Sequence, residues 1–146
     1  MSKSKRRQFL EGASANPKQK THFIDPAVTR KLSIIFSFKL LDVSREPFRV
    51  DEGDGEGLLY IFNTMKIFSQ IERHLLEISY PKCHPVPEDQ IKTHHLSGVS
   101  ALSPSGKLHQ IGRNSTPERI VGFFDSPIAN LFNVCFLDLH HNLSGD

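Results

Sequence analysis

Two apolar runs near the C-terminus, RIVGFF over Arg119–Phe124 and FNVCFL over Phe132–Leu137, constrain this chain more than any other feature. Each is too short for a packed helix and rich in β-branched or aromatic residues, and Asp125-Ser126-Pro127 breaks the chain between them. Runs of that length and content, separated by turn-forming residues, read as successive strands. Two further stretches, about His94–Leu102 and Lys107–Ile111, read the same way, with Ser103-Pro104-Ser105-Gly106 as a hairpin turn between them. The expectation is an antiparallel meander closing the chain.

Upstream, Leu32, Ile34, Phe36, Phe38 and Leu40 alternate with mostly polar residues, the pattern of a half-buried strand. Ser44-Arg45-Glu46-Pro47 turns the chain, and Pro47 restricts Phe48–Val50 to an edge segment or loop. The stretch DEGDGEG beginning at Asp51 resembles a calcium loop in composition only. Its third and fifth positions are Gly53 and Gly55, and its twelfth is Phe62, so it lacks the alternating acids and final Glu that the ion needs. It reads as a flexible loop whose acids favour the positive end of the next helix. Ile61, Met65, Phe68, Ile71, Leu75 and Ile78 follow at spacings of three and four, which predicts one helix over about Leu58–Ser79, stopped by Tyr80-Pro81. Residues 81–91 contain Pro81, Pro85 and Pro87 and form a stiff link. The fold class expected is α+β: an antiparallel sheet with one long helix packed on one face.

At 146 residues one domain is expected, over 23–146, after a basic disordered arm at 1–22. Residues 1–20 hold six Lys and Arg against Glu11, a net charge of +5 in a chain of +2, so the body sums to −3. A groove-type nucleic-acid binder usually has a basic body, so any nucleic-acid contact is expected through the arm, at Lys5, Arg6 and Arg7. There is no apolar run of ~18 residues, hence no expected membrane span, and no apolar segment follows the basic start, hence no expected secretory signal. Two cysteines, Cys83 and Cys135, are expected to be reduced thiols in a cytoplasmic protein.

In the same order along the chain, FSFKLLD (Phe36 to Asp42), Lys92-Thr93-His94, Gly122-Phe123, Phe132, Val134, Leu137, Asp138, His141 and Leu143 resemble a group of small, mostly uncharacterised prokaryotic proteins. These end on a Gly-Phe strand followed by an apolar strand with Leu-Asp-x-x-His and a final Leu. The group usually has Pro after the Asp, where this chain has Leu139. The resemblance implies a shared fold, a prokaryotic or mobile-element setting, and Asp138 and His141 as a special pair.

The histidines offer the remaining chemistry. If the strand opening at His94-His95 neighbours the last strand, either ring could approach Asp138 and His141. Together they could form an acid–base set or a metal site. Adjacent strand residues point to opposite faces, so one of each pair serves at most. The structural alternative is that Asp138 accepts backbone N–H bonds where the last strand turns. Arg113 and Arg119 flank the loop Asn114-Ser115-Thr116-Pro117, where a phosphate could bind. Three functions follow: a small cytoplasmic binding or accessory protein with a protein partner; a toxin-like ribonuclease using His acid–base chemistry; and a metal-dependent hydrolase on His94 or His95, Asp138 and His141. No cofactor motif is present.

Overall fold

The computed structural model describes residues 32–126 and 129–143. The basic arm, with Lys5, Arg6 and Arg7, lies outside the described residues. Five strands form one sheet: β1 (Ile35–Ser37), β2 (His84–Pro85), β3 (His109–Ile111), β4 (Arg119–Phe124) and β5 (Leu131–Asp138), in the order β1-β5-β4-β3-β2. The β2–β3, β3–β4 and β4–β5 pairs are antiparallel, whereas β1 runs parallel to β5. Among the described residues four helices accompany them: α1 (Gly55–Phe68), α2 (Leu76–Ser79), α3 (Glu88–Thr93) and α4 (Ser97–Ser100). The class is α+β, with α1 the long helix.

The two C-terminal runs are the centre of this architecture. Every residue of β4 is buried, because both sheet faces are covered and strand alternation feeds two cores. Ile120 and Phe124 point into a cluster with Ile61, Met65 and Phe68 of α1. Val121 and Phe123 point into a second cluster with Ile91, Leu96 and Val99 from around α3 and α4, and with Phe48. Helical packing thus covers both faces, where sequence periodicity had indicated one.

A β-bulge sets the phase of β5. Val121 pairs with Phe136 and Gly122 with Val134, which leaves Cys135 as the extra residue. Its carbonyl accepts the Asp42 N–H at 2.8 Å, so the unpaired group is satisfied. Before the bulge Phe132 and Val134 face the α1 core; after it Leu137 and Leu139 do, and Phe136 turns to the second core. Gly122 permits this, since a Cβ there would overlap the Asn133 carbonyl.

Four local expectations are corrected. The helix expected over Leu58–Ser79 ends at Phe68, because the Ile71 carbonyl accepts the Ile34 N–H at 3.2 Å and Arg73 N–H donates to the Leu32 carbonyl at 3.1 Å. Those groups would otherwise continue the helix, so pairing with the N-terminal segment replaces it with a short 3-10 turn at Arg73–Leu75. Where a strand was expected over His94–Leu102 the chain instead caps α3 at His94, takes a left-handed residue at His95 and forms α4. Here Pro87 precedes two acids, Glu88 and Asp89, in the first turn of α3, a helix-start signal that outweighs the weak alternation. Leu32, Phe38 and Leu40 are exposed, and only Ile35–Ser37 pairs as β1. The loop expected over DEGDGEG is shorter: Glu52–Asp54 is a 3-10 turn and Gly55 already begins α1.

Candidate functional site

The end of β4 carries the floor of a cleft of about 490 Å3. Phe124, the last β4 residue, turns one side of its ring to the aliphatic core and meets Phe132 edge-on at 4.9 Å. The Arg73 guanidinium lies over that ring with its carbon 3.7 Å from the centroid, a cation–π stack. His109, at the start of β3, approaches the same ring edge-on at 6.1 Å. Gly122 stands opposite His109 in register. Lys107, His74, Ser103, Ser105 and Glu77 also line the cleft.

His109 and Glu77 form the chemical centre. The His109 Nε2 is 3.4 Å from a Glu77 carboxylate oxygen. Burial is the largest influence on His109 and holds its pKa below the ordinary 6.5; the positive Arg73 and nearby His84 act the same way, while Glu77 opposes them. His109 is therefore an uncharged imidazole at neutral pH, oriented by a carboxylate. His84 is positioned next to it by two bonds: its Nδ1–H donates to the Pro85 carbonyl at 2.8 Å and its Nε2 accepts from buried Gln110 at 3.1 Å.

The residues singled out by sequence lie elsewhere. Asp138 is fully buried, and its two oxygens accept the Asn142 and Leu143 N–H groups, each at 2.8 Å. His141 is exposed with φ of 54° in that turn. His95 has the same left-handed φ at the end of α3, and His94 stacks edge-on against Phe48 at 5.6 Å. His94 and His95 therefore lie on a helix end, not on a strand. His140 bonds Asp54 at 2.9 Å and ties the end of β5 to the turn before α1.

Arg119 is buried and donates to the Thr116 and Glu118 carbonyls. It packs on Gly112, where a Cβ would overlap its Cδ. Its guanidinium is committed to the loop that the sequence suggested as a phosphate site. Arg113 sits at 5.9 Å over Tyr60. Among the described residues no three His, Cys, Asp or Glu side chains group as metal ligands would, so the His94, His95, Asp138 and His141 set is not brought together. Both thiols are free and buried, and burial pushes each up to about 11. Cys83, in the proline-rich link, points inward toward the Gly112 carbonyl.

Sequence reasoning missed Arg73, Glu77, Lys107 and His109. One signal was available: Lys107, His109 and Ile111 share a strand face by alternation. Which residues would complete a cleft around them depends on the break after α1, which the apolar stripe conceals. Among the described residues no helix is long and apolar enough to cross a membrane. No protein-family model matches the chain, and neither curated proteins nor solved structures give a match.

Proposed function

We propose that this is a small binding protein whose cleft takes a ligand bearing a phosphate or similar oxyanion. The observation that carries the reading is the convergence of Arg73 and Lys107, beside the neutral His109, on one cavity that has Glu77 as its lining carboxylate. A local excess of cations in a chain whose body is net negative favours an anion there. The apolar floor at Phe124 lowers the local dielectric and strengthens each contact. Isothermal titration with uridine monophosphate tests this: Arg73→Ala and Lys107→Ala should each weaken binding about tenfold. Absence of binding at millimolar ligand, or affinity unchanged in the double variant, overturns it.

A second reading, a ribonuclease, is favoured by the His109–Glu77 pair. A neutral imidazole beside bound phosphate can accept the 2′-hydroxyl proton as O2′ bonds to phosphorus and the P–O5′ bond breaks, the leaving 5′-oxygen taking a proton from water, while Arg73 or Lys107 stabilises charge developing on phosphorus oxygens. This reading assigns the acid–base role to His109 rather than to Asp138 and His141. His109→Gln should abolish RNA cleavage and leave nucleotide affinity within about threefold; no cleavage by the unaltered protein retires it.

A further inference from the structure

A second cavity, of about 300 Å3, opens beside the first and is lined by Glu88, Lys92, Ser97, Ser100 and Lys107 among others. Pro85 and Lys107 line both cavities. Lys107 thus stands on the ridge between them, with Arg73 on one side and Lys92 on the other. We infer that the two cavities form one track across Lys107 and that its ligand is a single-stranded nucleic acid, with one phosphate beside Arg73 and Lys107 and the next toward Lys92. This rests on the oxyanion reading of the first cleft and specifies its ligand.

Three features favour a nucleic-acid strand over other anions. Cations along the track stand beside exposed serines, Ser105 in the first cavity and Ser97 in the second. Lys, Arg and Ser side chains are the usual partners of phosphate oxygens. The first cavity also offers planar groups, the Arg73 guanidinium on Phe124 and the His74 ring, against which a base can stack. Finally, residues 1–20 of the same chain carry a net charge of +5, the sign that favours a polyanion.

The test compares uridine monophosphate with a ten-residue oligouridylate, by titration and fluorescence anisotropy on the full chain. The oligomer should bind at least about tenfold more tightly. Lys92→Glu should remove about tenfold of oligomer affinity, lower the slope of log affinity against log salt by at least about 0.7, and leave monophosphate binding unchanged. Lys92 is exposed, so an unchanged thermal melt is expected of that variant. Monophosphate binding with no gain for the oligomer leaves the cleft reading standing and overturns the strand. Binding of neither overturns both. Equal affinity for a decameric polyglutamate, or an oligomer affinity indifferent to Lys92→Glu, also overturns the strand.

Discussion

At the scale of single residues, burial decides which polar groups do chemistry and which hold the fold. Asp138 is sealed from water and spends both oxygens on two backbone N–H groups. Asp138→Asn replaces one acceptor by an NH2 group facing a donor and should cost about 1–2 kcal/mol, measured by urea denaturation, with uridine monophosphate binding unchanged. An equal loss of ligand affinity would show that the turn communicates with the cleft. His109 behaves oppositely. Its pKa is lower in the folded state than its ordinary 6.5, so the unfolded chain takes the proton first. Its contribution to stability is complete above that value and is lost as pH falls through the lower folded value. The melting temperature should therefore drop on acidification from about pH 7 downward, and His109→Gln should flatten that part of the profile. A slope unchanged in His109→Gln would assign it to other groups.

At the scale of elements, the short helices are shaped by their ends. After α3 the His95 N–H donates to the Lys92 carbonyl at 3.2 Å and the Leu96 N–H to the Ile91 carbonyl at 2.8 Å. These bonds close the helix around a left-handed residue, a position where glycine is normally favoured. His95→Gly should raise stability by about 0.5–1 kcal/mol, read as a higher denaturation midpoint with unchanged slope. A destabilised variant would show that the imidazole itself makes contacts worth more than the relieved backbone. The break between α1 and α2 matters more for function. It carries Arg73, His74 and Glu77 to the edge of the sheet beside His109, which one continuous helix through Ser79 would not do.

At the scale of the whole molecule, β4 and β5 supply side chains to both cores. Neither core can come apart while the other keeps the shared strands in place. Phe68→Ala on one side and Phe136→Ala on the other should each cost about 3–5 kcal/mol. Both should leave a single calorimetric transition, with calorimetric and van't Hoff enthalpies equal. Two resolved transitions in either variant would show that the cores are independent units. The same arrangement keeps the cleft stable: its floor, Phe124, belongs to the most interior strand.

The sequence by itself determined the α+β class, the run and bounds of β4, nearly those of β5, the start of the α1 stripe and the turn made by Asp138. These follow from local signals: short β-branched runs, helical spacing and a carboxylate where an apolar run stops. Tertiary structure alone decided the parallel pairing of β1, the bulge at Cys135, the covered second face and the cleft. Backbone bonds from Ile34 and Leu32 to residues 71–73 interrupt a helix that its own apolar spacing would continue. That competition is between groups about forty positions apart, and no local pattern records which side wins. The paired histidines stood out in the sequence because they are adjacent, whereas His109, Glu77, Arg73 and Lys107 come together only through folding. Reactivity depends on what shares a dielectric environment and a hydrogen-bond distance, and those neighbours are chosen by the fold.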